Sequence, residues 1–145
     1  MREARRSLAG LRRRDSSSGL AAALGQTARQ LTETDSVRLK LNLRDSESNL
    51  PPDVEYNLVR IAQEAILNAV KHSGARTVTV TLDSTPGGLC LSVKDDGAGF
   101  DDKAAVPVGH FGLVGMRERA AQIGAEFNAT SAPGQGTTVS VVMES

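Results

Sequence analysis

The chain has 145 residues, a formal net charge of zero and a hydrophobic fraction of 39%. That length suits one domain with its own core. The balanced charge and apolar content exclude disorder by composition and bulk polyanion binding. With no Trp, one Tyr and three Phe, the core has to be built from Val, Leu, Ile and Ala. No apolar run approaches the length needed to cross a bilayer, and no stretch reads as a signal peptide. Cys90 is the single cysteine, which leaves no intrachain disulfide or cysteine metal cluster and fits a reducing cytoplasm.

The first fourteen residues hold six Arg against one Glu. A basic arm can bind nucleic acid, but Ala4, Leu8 and Leu11 recur at helical spacing and no aromatic is interleaved for base stacking. Arg2 to Arg14 therefore reads as a helix, the end of a longer one, with its Arg residues on the wet side. Asp15 to Gly19 is a break carrying an N-cap candidate. Leu20 to Leu31 is a second amphipathic helix. Val37 to Leu43 alternates strictly, as a half-buried strand does, and Asp45 to Asn49 is a polar loop.

Leu50 to Ala75 is the stretch around which the rest is organised. Two prolines open it and a Gly closes it, the punctuation of a helix of about twenty residues. Val54, Leu58, Ile61, Ala62, Ala65, Ile66 and Ala69 form one apolar arc. Glu64, Asn68 and His72 recur every four residues along the edge of that arc, with Lys71 beside them. A helix that needs only solubility keeps its charges on the far face; here a carboxylate, an amide, an imidazole and an ammonium rim the core, where a polar ligand could dock. Singly, each reads as a solvated flank.

After Gly74 the period becomes two. Thr77 to Leu82 and Leu89 to Val93 alternate around the turn Pro86-Gly87-Gly88, so 76–83 and 88–95 read as a hairpin. The second strand runs into Asp95-Asp96-Gly97-Ala98-Gly99, where the glycines let backbone approach a ligand and an acid can accept a hydrogen bond from an amino group such as adenine presents. Gly109-His110-Phe111-Gly112-Leu113-Val114-Gly115 precedes a helix over Met116 to Ile123. Glycines before a helix expose N–H groups and the positive dipole end, which suits phosphate, although this is neither a P-loop nor a Rossmann fingerprint. Phe127 to Ala132 is a strand, Gly134-Gln135-Gly136 a turn, and Thr137 to Met143 the last strand, with a Thr hydroxyl able to donate to a phosphate. The outline is an α+β two-layer sandwich: one largely antiparallel sheet with helices on one face. Together the loops describe a nucleotide site, with a base at Asp95, phosphates at Gly109–Gly115, and a metal at Asn68 and Glu64, since Mg²⁺ takes oxygen ligands and few from protein.

EAILNAVKHSGA, DDGAGFD, GHFGLVGMRERA and GQGTTV resemble, in order, the four nucleotide motifs of the GHKL ATPase superfamily. The second glycine loop is most similar to that of sensor histidine kinases of the NarL and DesK type. The resemblance covers about residues 20–143 and implies the Bergerat α/β sandwich, with ATP and Mg²⁺ as cofactors. It implies Asn68 as Mg²⁺ ligand with Glu64 polarising water or metal beside it, as the catalytic pair. Lys71 and His72 would approach the phosphates. Asp95 would bind the adenine amino group, Gly97 and Gly99 would shape that wall, and Thr137 would lie near the adenine. Gly112, Leu113 and Gly115 would form the hinge and phosphate-facing end of an ATP lid, short here between Phe100 and Gly112.

Kinases of this kind phosphorylate a histidine on an upstream dimerisation domain. His72 and His110 are the chain's two histidines and both fall inside nucleotide motifs, so the acceptor is expected elsewhere. Residues 1–14 then read as the tail of the helical dimerisation domain and 15–145 as the catalytic domain of a larger kinase, one that segments outside this chain could anchor to a membrane. The implied partners are that dimerisation domain and a response regulator, with no direct nucleic-acid contact. This chain is expected to be monomeric and the parent kinase homodimeric. Alternatives from other classes are a stand-alone serine/threonine kinase of the anti-sigma-factor type, a hydrolytic mismatch-repair or topoisomerase ATPase, and a scaffold whose glycines are plain turns.

Overall fold

The computed structural model describes residues 19–33, 36–44, 50–85, 87–99 and 112–144. The helix expected over Arg2–Arg14, the turn residue Pro86, and the loop Phe100–Phe111 with His110 lie outside these residues. The elements follow in the order α1 (Leu20–Thr32), β1 (Arg38–Arg44), α2 (Pro52–Leu67) continued by a π-helical turn (Asn68–His72), β2 (Thr77–Thr85), β3 (Gly88–Asp95), α3 (Leu113–Gln122), β4 (Glu126–Ser131) and β5 (Thr137–Glu144).

The strands form one sheet in the order β1-β2-β3-β5-β4. Only β1 and β2 pair in parallel; the other neighbours are antiparallel. The reason is connection length: β2 and β3 are joined by a tight turn, whereas β1 reaches β2 through α2, and a parallel pair needs such a crossover. Period-two alternation puts Leu41, Val80, Val93, Val139 and Ala129 on one rung across all five strands. The next rung holds Leu43, Leu82, Leu91, Val141 and Phe127. On this face α2 lays Leu58, Ile61, Ala62, Ala65, Ile66 and Ala69, while α1 adds Leu20, Leu24 and Ala28, all buried in the same core. The opposite face carries Thr, Ser, Lys and Asn and meets solvent, as expected of a half-buried sheet.

Two departures from the sequence reading have local causes. Helix α3 begins at Leu113, directly after Gly112, whose φ is 97°. The sequence reading places that start at Met116, after Gly115. Instead Met116 N–H closes on Gly112 O at 2.7 Å, and the buried pair Met116 and Ala120 outweighs the roughly 1 kcal/mol that an interior Gly costs. The central helix also widens at its end. Ser73 N–H bonds to Asn68 O, five residues back, at 3.0 Å, so the four-residue line Glu64–Asn68–His72 is broken at Asn68.

Candidate functional site

The first two core rungs are apolar from edge to edge, and the third is not. It runs Leu39, Val78, Asp95, Thr137, Ser131. Alternation carries each strand's core-facing pattern one step too far: Val93 leads to Asp95, Val139 to Thr137, Ala129 to Ser131. Three polar side chains thus sit where a core would continue. There the π turn and α3 leave a cleft lined by Ala65, Asn68, Ser73, Val93, Asp95, Leu113, Thr137 and Val139. Its apolar half is the end of the core, and its polar half is the rung that replaces it. A slot of this kind suits a flat heterocycle with polar edges.

Asp95 is 6% exposed. Its Oδ1 accepts the Gly97 N–H at 2.8 Å. Burial raises its carboxyl above the ordinary aspartate value; N–H bonds from Gly97 and Thr137 oppose that rise and the charge of Asp96 adds to it. Asp96 does a different job on the exposed side. Its Oδ1 accepts both the Arg76 N–H (2.8 Å) and the Thr77 N–H (2.9 Å), and these bonds hold its carboxyl below the usual range. One acid ties the loop to the start of β2, leaving the other in the cleft.

Three loops meet behind Asp95. Ala98 N–H donates to Ser73 O at 2.9 Å, and Gly134 N–H donates to Ala98 O at 2.6 Å. This couples the end of the π turn to the Asp-Gly loop and then to the β4–β5 turn. The glycines permit that closeness. A Cβ on Gly97 would stand 2.5 Å from Ser73 Cβ, one on Gly99 would meet Ala132 O, and one on Gly136 would meet Asp95 O. Ser131, buried at 9% exposure, closes the end: its hydroxyl donates to Gly136 O at 2.9 Å and lies 2.9 Å from Thr137 Oγ1.

At the other end of the cleft, Gly112 rests on α2. A Cβ there would be 2.8 Å from Glu64 Oε2 and 3.7 Å from Asn68 Nδ2. Glu64, Asn68, Gly112 and Leu113 are therefore together, and the N-terminal turn of α3 opens beside them, its positive dipole end toward the same place. Gly115 has no atom near a would-be Cβ and serves as an ordinary helical position. Lys71 and His72 are exposed and outside the cleft lining, because the π turn rotates them away from the Asn68 side. Sequence reasoning missed Ala65, Ser73, Val93, Val139 and Ser131. Val93, Val139 and Ser131 were reachable by extending the alternation, whereas Ser73 depends on the π turn, which left no sequence signal.

Among the described residues no group of three or more His, Cys, Asp or Glu side chains could hold a metal. Among them also, no helix is long and apolar enough to cross a membrane.

The chain is similar to the sensor protein VraS of Staphylococcus saprophyticus, with 42% identity over 97 residues, 66% of this chain and 27% of that protein. It therefore spans little more than a quarter of that relative's length. Among solved structures it superposes on the histidine kinase domain of the Erythrobacter litoralis EL346 blue-light activated histidine kinase. The TM-score is 0.69 at 24% identity, covering 86% of this chain and 60% of that one. Full-length ShkA in complex with AMPPNP gives a TM-score of 0.70 at 20% identity over 86% of this chain and 30% of that one; these two likenesses concern the fold. Residues 53–145, from the start of α2 onward, match the family described as histidine kinase-, DNA gyrase B-, and HSP90-like ATPase, and the chain belongs to that family.

Proposed function

We propose that the chain is the ATP-binding catalytic domain of a two-component sensor histidine kinase. It would transfer the γ-phosphate of ATP to a histidine on a helical dimerisation domain outside this chain, for relay to a response regulator. The observation that carries this reading is Asp95: a carboxylate buried at the polar end of an apolar slot, sharing that slot with Asn68 and the first residue of α3. A buried acceptor beside apolar walls suits the amino edge of adenine, and a helix N-terminus at the other end suits phosphate. The sensor-kinase relatives agree with it, and so does the AMPPNP bound by ShkA.

In this reading Asp95 takes the adenine amino group, Gly97, Gly99 and Thr137 shape that wall, and Gly112, Leu113 and Gly115 bring the lid to the phosphates. Asn68 offers an amide oxygen and Glu64 a carboxylate to a Mg²⁺ that arrives with the nucleotide. Two oxygen donors fit a cation that keeps water and phosphate as its other ligands. Bound there, Mg²⁺ would neutralise charge on the transferring phosphoryl group. Lys71 and His72 would meet the phosphate tail from the solvent side rather than the base. The protein's part is mainly positioning; the acceptor histidine would be supplied by another domain, with 15–145 as the catalytic domain.

The test is calorimetric titration of ADP and AMPPNP, with and without Mg²⁺, on wild type and Asp95→Asn. Saturable binding that weakens at least tenfold in the variant is expected; wild type that binds neither nucleotide would sink the proposal. Phosphotransfer to a helical dimerisation domain added in trans, rather than to a serine of an antagonist protein, separates the histidine-kinase reading from the anti-sigma-factor type.

A further inference from the structure

The polar rung ends in a hydroxyl pair, Ser131 and Thr137, whose proton arrangement bears on what the cleft can bind. Ser131 Oγ is 2.9 Å from Gly136 O and 2.9 Å from Thr137 Oγ1. A carbonyl only accepts, so the single Ser131 hydroxyl proton goes to Gly136 O. The Thr137 hydroxyl must then donate its own proton to Ser131 Oγ, since two hydroxyl oxygens this close need one proton between them. Thr137 lines the cleft beside Asp95. With its proton committed backwards, its oxygen offers the cleft lone pairs only.

We infer that Ser131 is a positioning and specificity-determining residue: it orients the Thr137 hydroxyl as an acceptor, so that the Asp95–Thr137 end of the cleft selects a purine carrying an exocyclic amino group over one carrying an oxo group. This rests on the proposed adenine site. The amino edge of adenine donates, and both Asp95 and Thr137 accept. The 6-oxo group of hypoxanthine only accepts and, set where the amino group would lie between these two acceptors, is left unpaired, which is the strong form of discrimination. Ser131 reaches the base only through Thr137. It also holds Gly136 O, whose residue packs on the Asp95 backbone, so one hydroxyl sets both the direction of the Thr137 proton and the position of the turn that carries it.

The experiment measures Kd for ADP and IDP by calorimetry on the full 145-residue chain. It compares wild type, Ser131→Ala, Ser131→Thr, Thr137→Val and the Ser131→Ala/Thr137→Val double variant, with a thermal melt of each. Ser131→Ala frees the Thr137 proton to turn toward the cleft. The expected result is an ADP-over-IDP preference reduced roughly three- to tenfold, the scale of one hydrogen bond. Ser131→Thr, which keeps the hydroxyl, restores the preference. In the Thr137→Val background the Ser131→Ala change has no further effect on the ratio, as coupling through Thr137 requires. The inference is overturned if Ser131→Ala weakens both nucleotides equally, or leaves the ratio unchanged while lowering the melting temperature. It is also overturned if Ser131→Ala alters the ratio without Thr137. Wild type that binds neither nucleotide overturns the adenine site itself and this inference with it, a failure distinct from wild type that binds ADP with a ratio Ser131 does not control.

Discussion

Asp95 and Asp96 are adjacent and opposite in what they do to stability. Asp95 has a raised carboxyl pKa, chiefly from burial, so its folded form holds a proton more tightly than the unfolded chain. Its contribution is complete below the unfolded value of 3.8 and is lost as pH rises through the folded value. Asp96, held low by two backbone N–H bonds, contributes above the unfolded value, and that is lost as pH falls through the folded one. Asp95→Asn removes the first effect. In urea denaturation without nucleotide, the variant should gain stability relative to wild type as pH rises from about 4 to about 7, the side of the unfolded value on which the buried acid ionises; a constant difference across that range would contradict the burial argument. Glycines divide in the same residue-specific way. Gly124 and Gly136 both have positive φ, 70° and 77°, but only at Gly136 does a Cβ meet backbone. Gly124→Ala should cost about 1–2 kcal/mol, the left-handed penalty, and Gly136→Ala clearly more, read as a larger drop in melting temperature. Equal drops would mean that the β4–β5 turn gives way freely.

Helix α2 combines two functions that its sequence periodicity runs together. Up to Leu67 its buried residues recur at helical spacing and hold the sheet; from Asn68 the π turn sacrifices that regularity, as such turns often do at functional sites. The gain is that Asn68 and Ser73 both border the cleft. Asn68→Ala should therefore leave the melting temperature within a few degrees of wild type while abolishing most of the Mg²⁺-dependent gain in nucleotide affinity. A variant that still gains affinity with Mg²⁺ would remove Asn68 from the metal's surroundings. Helix α3 is seated by Met116, 1% exposed, and Ala120, fully buried, with Arg117 over the Phe127 ring at 5.0 Å and Arg119 donating to Asn57 Oδ1 of α2 at 3.3 Å. Met116→Ala should cost about 2–4 kcal/mol and weaken nucleotide binding too, because Leu113 and Gly112 sit one turn before it. Loss of stability without loss of affinity would show that the cleft does not depend on how α3 is seated.

At the scale of the molecule, the site lies where the sheet's core rows run out, between the end of α2 and the start of α3. Helix α1 precedes the family match at 53–145, yet Leu20, Leu24 and Ala28 are at most 2% exposed and belong to the same core as α2. A chain beginning at Ser36 should consequently melt well below the full chain, if it folds at all, whereas a chain beginning at Gly19 retains every buried residue of α1. Equal melting of the two shortened chains would show α1 to be an appendage rather than part of the domain.

Much of this organisation is legible in the sequence. Alternation in 77–82, 88–95 and 137–143 determined three strands and which of their faces is buried. The paired prolines and Gly74 bounded the central helix, because such residues act through their own backbone, with no need of a partner. For the same reason Asp95, Asn68 and Gly112 stood out as chemical residues in loop or rim positions. Tertiary structure alone decided the rest. The order β3-β5-β4 and the parallel β1–β2 pair come from which strands can meet, a competition among surfaces distant in sequence. The division of labour between Asp95 and Asp96 depends on which carboxylate the start of β2 reaches first. The π turn at Asn68 turns His72 outward and Ser73 inward against a four-residue repeat that sequence leaves intact, because the hydrogen bond that widens the helix is made by backbone, which carries no residue-specific mark.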